Sequence, residues 1–583
     1  MTKRRSNGAD VVVQSLVNHG VDTVFAYPGG SVIPLHQAFT RFSDKIRVIL
    51  PRHEQGGGFA AQGYARSTGK VGVCTATSGP GAANLLTAVA DAKMDSIPLV
   101  VITGQVGSKI IGTDAFQEMP TTEVYRSITK HHSLITNVGD VARVMKEAFY
   151  VAMSGRRGPV LVDIPKDVLM QAVEPDYSVE MSLAGYHPEE RLTPSKESIA
   201  AWAEAIREAK KPVIYVGGGA VAADASEELM RLVKKTSIPV TSTLAALGVF
   251  PAEHPLSLDL LGMHGSVYAN HAVDECDLLI SLGARFDDRV TGNVRKFAPK
   301  ARIVHVDLDV SEVNKVVSTD VSVVGDVKIA LAMLNPCVLP PEASLEPWLA
   351  QIQQWKAESP FSYTNGAPYI LPQQAIDEMW KLTKDFDPII ATGVGQHQMW
   401  TAQFFRFNNP RRWLSSCGAG TMGFGLPAGL GAKVANPDKM VIVVDGDGSS
   451  LMNIQEMATC YCEKIPMKVL LLNNQHLGMV VQWEDRFCGS NRAHTYLGPI
   501  DNPETFGRGT GIGPEVRYPD FVKIAEGFGW KGRSISKKEE LLDGLREMIA
   551  SEESFLLDVA VPYQEHVLPM IPAGGAFKDI ITN

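Results

Sequence analysis

The chain has 583 residues, a formal net charge of −9, 45% hydrophobic and 20% charged residues. One hydrophobic core rarely grows past about 250–300 residues, so three domains are the natural count, and so ordinary a composition excludes a mainly disordered chain. No lysine and arginine block marks a nucleic-acid surface, no apolar run approaches the roughly 18–20 residues of a membrane span, and the amino end lacks a hydrophobic signal core. Seven cysteines without a Cys-x-x-Cys pair argue against a disulfide framework. Cys74, Cys276 and Cys417 lie beside apolar runs and read as buried thiols in a reducing compartment. The expected setting is the cytoplasm, or an organelle matrix if a transit peptide has been removed, with neither nucleic acid nor membrane as partner.

The first domain, 1–186, alternates helix-period and strand-like segments. Ala9–His19 is helical by spacing, Thr23–Ala26 is a short strand, and Tyr27-Pro28-Gly29-Gly30 is a turn. Gly72–Ala76, Leu99–Thr103 and Pro159–Asp163 are apolar strands that run into polar or glycine-rich ends, the pattern of a doubly wound, mostly parallel sheet with ligands at strand carboxyl ends. Glu54 follows the apolar run Val48–Leu50 and precedes three glycines. It reads either as an acid complementing a helix dipole or as a functional carboxylate, since glycines there weaken a helix unless something approaches its backbone.

A polar, proline-containing stretch, Pro188–Ser195, reads as a linker into a second α/β domain, 193–350. The helix Ala200–Ala209 precedes Pro212–Val216, which ends in Gly217-Gly218-Gly219. Leu278–Leu282 leads into Gly283-Ala-Arg285, Ile303–Val306 into Asp307, and Val321–Val324 into Gly325-Asp326. Acids after strands can hold ribose hydroxyls and Arg285 suits a diphosphate, although each reads equally as a surface residue. A Gly-x-Gly-x-x-Gly run is missing, so an ordinary dinucleotide site is not supported.

The third domain, 368–583, holds the most specific signal. Met440–Val444 and Val469–Leu472 are apolar β-prone runs separated by a helix-compatible segment, Asn453–Cys462. The first ends in Gly446-Asp447-Gly448-Ser449 and the second in Asn473-Asn474-Gln475-His476. Asp447 and Asn474 are hard oxygen ligands suited to magnesium bound to diphosphate, and Gly446 and Gly448 leave the backbone open to a phosphate. Together they resemble the thiamine diphosphate motif. Trp413–Gly429 echoes Val73–Asn84, and Lys468–Gln475 echoes Leu99–Gln105, which suggests that the first and third domains are copies of one fold. A glycine-rich stretch between Gly498 and Pro519 reads as a surface insertion or, less directly, a lid.

Further runs complete a resemblance to the acetohydroxyacid (acetolactate) synthase catalytic subunit, a thiamine diphosphate enzyme family. They are Arg-His-Glu-Gln-Gly-Gly at 52–57, Gly-Thr-Asp-Ala-Phe-Gln-Glu at 112–118, Asp-Ile-Pro-Lys-Asp at 163–167, Gly-Met-His-Gly at 262–265, Arg-Phe-Asp-Asp-Arg at 285–289, Gly-Val-Gly-Gln-His-Gln-Met-Trp at 393–400, Gln-Trp-Glu-Asp-Arg at 482–486 and Glu-His-Val-Leu-Pro-Met-Ile-Pro at 565–572. The resemblance implies three α/β domains, thiamine diphosphate between the first and third, FAD in the middle one, and magnesium held by Asp447, Asn474 and the His476 carbonyl. Glu54 would exchange a proton with the aminopyrimidine, with Gln117, Phe116 and Lys166 completing the catalytic set.

Implied thiamine diphosphate contacts are Pro28, Gly29, Val394, Gln396, His397, Gly420, Met422, Ser449, Leu477, Gly478 and Met479, besides Glu54, Gln117 and the motif residues Gly446, Asp447, Gly448, Asn474 and His476. Implied FAD contacts are Arg156, Gly217, Gly218, Gly219, Thr243, Leu244, Met263, His264, Gly265, Gly283, Arg285, Asp288, Arg289, Asp307, Leu308, Gly325 and Asp326. Met263, Arg289, Met399, Val480, Trp483 and Ala573 would line the substrate channel, also the herbicide pocket of the family; Met479 and Trp483 read equally as core packing.

The implied reaction decarboxylates pyruvate and transfers the two-carbon unit to pyruvate or 2-ketobutyrate, on the route to branched-chain amino acids. A homodimer or homotetramer with a separate regulatory subunit is expected. Pyruvate oxidase, a flavin-free catabolic acetolactate synthase and a non-catalytic paralogue are the rival readings.

Overall fold

The computed structural model describes residues 6–181, 183, 192–364, 366–499 and 518–583. The glycine-rich stretch at 500–517 and part of the expected linker lie outside them. Among the described residues, three six-stranded sheets form, and every strand pairing is parallel. Strands covered by helices on both faces read as near-continuous apolar runs. Gly72–Ala76, Leu99–Gln105 and Pro159–Pro165 are accordingly buried at every position.

The first sheet comprises β1 (Thr23–Ala26), β2 (Arg47–Ile49), β3 (Gly72–Ala76), β4 (Leu99–Gln105), β5 (His131–Leu134) and β6 (Pro159–Pro165), in the order β2-β1-β3-β4-β6-β5. The third comprises β13 (Ile389–Thr392), β14 (Trp413–Leu414), β15 (Val441–Gly446), β16 (Lys468–Asn473), β17 (Lys531–Ile535) and β18 (Phe555–Ala560). Its order, β14-β13-β15-β16-β18-β17, repeats the first strand for strand. The expected duplication is therefore present, with one correction to its register. β16 does correspond to β4, but Trp413–Leu414 corresponds to β2 rather than β3, and the true counterpart of β3 is β15. The glycine-rich similarity misaligned them because small residues follow several strands in both domains.

The middle sheet comprises β7 (Pro212–Val216), β8 (Val240–Ser242), β9 (Ser257–Leu260), β10 (Leu278–Leu282), β11 (Arg302–Asp307) and β12 (Val321–Val324). The order β12-β11-β10-β7-β8-β9 is that of the doubly wound dinucleotide fold, with its chain reversal between β7 and β10. The topology is thus of the nucleotide-binding kind even though the glycine fingerprint is missing.

The first and third domains share one core. Phe25, Ile49 and Leu99 of the first pack in a single cluster with Ile389, Leu414 and Val443 of the third. Across this junction the helix Glu54–Thr68 lies against its counterpart, Gly425–Ala435. The approach is reciprocal: a Cβ at Gly63 would collide with the Ala428 carbonyl oxygen, and one at Gly431 with the Ala60 carbonyl oxygen. Glycine is required because the two backbones touch.

Cys74 and Cys276 are buried as expected, whereas Cys417 is only half-buried, and all seven cysteines are free. No helix among the described residues is long and apolar enough to cross a membrane. Gly63→Ala is expected to destabilise the fold by about 1–3 kcal/mol through overpacking, while Gly527→Ala, at a helical site with open space, should stay within about 1 kcal/mol of the parent; denaturant unfolding followed by circular dichroism checks both.

Candidate active site

In each domain the expected residues gather where the strand order reverses, at the carboxyl ends of strands, because adjacent loops there diverge to opposite faces and leave a crevice. In the third domain the reversal lies between β13 and β15. β15 runs beside β16, pairing Gly446 with Leu472, so Asp447 and Asn474 emerge side by side just beyond the paired residues. Asp447 is 3% exposed, and burial, reinforced by the Asp558 charge, pushes its carboxyl up to about 7 despite the Asn474 and Gly448 amides. A cation against this carboxylate would offset the desolvation. Asn474 Oδ1 accepts from the His476 backbone N–H at 2.9 Å. The His476 ring nitrogen Nδ1 meets the Asn474 carbonyl at 2.8 Å, and the ring stacks on Tyr563 at 4.2 Å. That ties the imidazole back and leaves the backbone carbonyl as the ligand this residue could offer.

One carboxylate, one carboxamide and a carbonyl form no cluster of three His, Cys, Asp or Glu, and none exists among the described residues. The donor set fits magnesium, which prefers a few protein oxygens and leaves its other positions to phosphates and water.

The motif glycines have a more exact reason than access for phosphate. A Cβ at Gly446 would lie 2.9 Å from His397 Nδ1, and one at Gly448 would lie 2.9 Å from Leu477 and 3.6 Å from Met422. The glycines let these side chains close over the loop. His397 Nε2 in turn lies 3.2 Å from Asp445 Oδ1, whose carboxylate is fully buried on β15. The Gly423 amide donates to Ser449 Oγ at 3.0 Å and fastens the loop carrying Gly420 and Met422 to the same strand end. Gln396 Nε2 donates to Gln482 and to the Glu565 carbonyl, beside Gly478.

In the first domain the reversal lies between β1 and β3. There Gly29 sits against Thr77, and Gly79, at φ +56°, lies under the Gln117 backbone. Glu54 opens the helix Glu54–Thr68, is 9% exposed, and accepts from Asn84 Nδ2 at 3.0 Å. Glu54 is thus the first helical residue, as the dipole reading expects, and a nearly buried acid beyond the end of β2. Phe116 is 88% exposed, and Lys166 begins a short helix after β6.

A cavity of about 800 Å³ opens at the reversal of the middle sheet and is walled by all three domains. Arg156, Gly217, Gly218, Gly219, Thr243, Leu244, Met263, His264, Gly283, Arg285, Asp288, Arg289, Asp307, Leu308 and Asp326 line it as expected. Gly265 and Gly325 do not; a Cβ at Gly265 would lie 2.5 Å from the Leu260 carbonyl oxygen and one at Gly325 would lie 2.6 Å from Pro194, so both are packing glycines. Val394, Met399, Gly420, Met479 and Trp483 reach the cavity from the third domain, whereas exposed Val480 and Ala573 do not line it. Burial lowers the His264 imidazole to about 4, so it is neutral at physiological pH. Arg289 Nη1 points at Met263 Sδ, 4.0 Å away, where cavity and expected channel join. The size, the arginines and the strand-end acids fit a flavin dinucleotide.

Neither Glu54 nor Asp447 lines this cavity. The acid Glu54 and the oxygen groups Asp447 and Asn474 thus stand beyond strand ends of two different sheets, outside this cavity. Three of their neighbours escape sequence reasoning. Asn84 is an ordinary loop residue there, Asp445 is visible only as an acid inside an apolar strand, and Glu456 carries no local signal at all.

Three family models match the chain: thiamine pyrophosphate enzyme, N-terminal TPP binding domain, over residues 6–124; the central domain over 199–334; and the C-terminal TPP binding domain over 393–559. Acetolactate synthase 3, chloroplastic, of Brassica napus is 52% identical over 580 residues, 99% of this chain and 86% of the relative. Acetolactate synthase 1, chloroplastic, of Zea mays is 54% identical over 578 residues, 98% and 88% of the two chains. Acetolactate synthase, chloroplastic, of Arabidopsis thaliana is 52% identical over 580 residues, 99% and 84%. The chain belongs to the acetolactate synthase family of thiamine pyrophosphate enzymes.

Proposed function

We propose that this chain's residues divide the acetohydroxyacid synthase reaction among three strand-end crevices. The enzyme decarboxylates pyruvate and transfers the two-carbon unit to a second pyruvate or to 2-ketobutyrate, using thiamine diphosphate, magnesium and FAD. Bound thiamine diphosphate supplies the nucleophilic carbon and the electron sink that the decarboxylation needs. The observation that carries the assignment of roles is the pairing of a nearly buried acid, Glu54, with a separate oxygen clasp, Asp447 and Asn474, at equivalent ends of duplicated sheets.

Glu54 holds and moves a proton at the aminopyrimidine, and Asn84 fixes its carboxylate. Asp447, Asn474 and the His476 carbonyl hold magnesium, while His397 and Gln396 face the diphosphate end. Met422 supports the cofactor from the Gly448 side. Arg289 meets the carboxylate of an incoming keto acid, and Trp483, its ring tilted against Phe487 with centroids 4.9 Å apart, shapes the acceptor space with Met263, Met399 and Met479. Gln117, Phe116 and Lys166 complete the site from the first domain.

We infer that the working unit is at least a homodimer, as the family resemblance implies, in which each chain's Glu54 serves the cofactor clasped by its partner's Asp447. The exposed ring of Phe116 and the exposed Leu451 and Met452 suit such a contact. A homotetramer and a separate regulatory subunit are further proposals resting on the family resemblance. The relatives' chloroplast location suggests an organelle matrix. Pyruvate oxidase is disfavoured by relatives that are acetolactate synthases, and a flavin-free enzyme by the cavity at the middle sheet.

Anaerobic incubation with pyruvate and 2-ketobutyrate is expected to give both acetohydroxyacids while the flavin stays oxidised; flavin reduction in step with turnover would overturn the assignment. Glu54→Gln should lower kcat by about 10²–10⁴-fold with thiamine diphosphate still bound, as read by product formation and calorimetry. Only the ionised Asp447 carboxyl ligates a cation, so apparent magnesium affinity should fall by about tenfold per pH unit below about 7 and level off above it; titration calorimetry across pH 5.5–8.5, a window of about one to two units around that value, tests this. Trp483→Leu should shift product partition away from the larger acceptor by about tenfold, measured by competition between the two keto acids.

A further inference from the structure

The helix that opens with Glu54 has an unusual cap. In a capping box the side chain at the third helical position reaches back to the backbone N–H of the N-cap residue. Here the N-cap is His53, whose Nδ1 accepts from the Gln55 amide at 3.1 Å, but the third helical position is Gly56 and has no side chain to offer. A carboxylate from another domain stands in its place. Glu456, the first residue of the helix Glu456–Cys462, sends Oε1 to the His53 amide at 3.1 Å and to the Arg52 amide at 3.1 Å. Its Oε2 lies 3.2 Å from the Arg52 amide and accepts from Thr459 Oγ1 at 2.7 Å. Any Cβ at Gly56 would overlap Glu456 Oε1.

We propose that Glu456 is the positioning residue for Glu54: a third-domain carboxylate that supplies the missing cap across some 400 residues of chain and sets the backbone from which the catalytic acid projects. The inference rests on the reading of Glu54 given above. Glu456 is 1% exposed, and Thr459, which orients it, is fully buried, so the carboxylate is enclosed by protein and reaches Glu54 through the 52–54 backbone. Without it, two amides at the start of the helix lose their acceptor, and the chain entering Glu54 is free to shift.

The arrangement also has a consequence for the assembly. Glu456 follows the Asp447–Ser450 segment closely in the chain. In the proposed dimer, the domain that clasps one cofactor therefore holds the acid used on the other.

The test compares Glu456→Ala, Glu456→Asp and Glu456→Gln in the holoenzyme and in cofactor-free protein. In the cofactor-free Ala variant, mass-spectrometric hydrogen exchange of the segment containing Arg52 and His53 should quicken by about tenfold or more. In the holoenzyme kcat should fall by about 100-fold, the scale of an ångström-sized displacement of a catalytic group, with thiamine diphosphate Kd changed less than about threefold. Glu456→Asp, which withdraws the acceptor by one methylene, should move the same way by about tenfold, and it carries the test if the Ala variant does not fold. Glu456→Gln keeps a carbonyl acceptor and an amide that can donate to Thr459, and should restore kcat to within about fivefold of the parent.

Wild-type kcat in the Ala or Asp variant, a fall in kcat matched by loss of cofactor affinity, or a Gln variant as slow as Ala would each overturn the inference. Glu54→Gln measured alongside separates the two claims. If it turns over normally, the role of Glu54 itself is wrong; if it is inactive while the Glu456 variants are normal, only the positioning role fails.

Discussion

The contact on which the rest depends is the reciprocal approach of two equivalent helices, Glu54–Thr68 and Gly425–Ala435, where Gly63 meets the Ala428 carbonyl and Gly431 meets the Ala60 carbonyl. Backbones can close to this degree only where no Cβ intervenes, and closure merges the cores of the two outer domains into one. Each helix begins or runs beside a site loop of its own domain. Their contact therefore fixes the acid of one sheet relative to the oxygen clasp of the other. A second tie works beside it: Arg66, on the same helix, is paired with Asp91 and with Asp95 at 2.8 Å, while Asp95 also accepts the Cys417 and Gly418 amides of the loop leading to Gly420 and Met422.

Crevices at strand-order reversals explain how two related sheet orders provide three separate sites. The two outer sheets share a single order and yet present different groups, because the loops that leave equivalent strands differ. After β3 come Thr77 and Gly79; after its counterpart β15 come Asp447 and Gly448. The middle sheet takes the dinucleotide order and encloses a cavity that all three domains wall. Duplication supplied the geometry, and divergence at a few loop positions supplied the chemistry.

Much of this was legible from the residues. The strands announce themselves because fully covered strands read as near-continuous apolar runs, as Leu99–Ile102 and Val441–Val444 do within Leu99–Gln105 and Val441–Gly446. Asp447 and Asn474 could be paired in advance because adjacent parallel strands bring their carboxyl ends together. Other features misled. The space beside Gly446 and Gly448 also holds His397, Leu477 and Met422, and a Cβ at Gly265 or Gly325 would meet protein outside the middle-sheet cavity. The echo between Trp413–Gly429 and Val73–Asn84 joined the wrong strands, because similarity in small residues does not reveal order within a sheet.

By itself the sequence determined the three α/β units, their apolar strands, the acid and oxygen ligands at strand ends, and the family to which the chain belongs. These are local properties: periodicity, side-chain chemistry and short spacings survive without knowledge of what lies across the molecule. Only the tertiary structure decided which glycines face protein and which face open crevice, that Asp445 backs His397, that Asn84 holds Glu54, and that Glu456 caps a helix some 400 residues away. The reason is physical. A buried carboxylate is stabilised by whichever donors the fold delivers to it, and donors separated by hundreds of residues leave no trace in the run of amino acids around it.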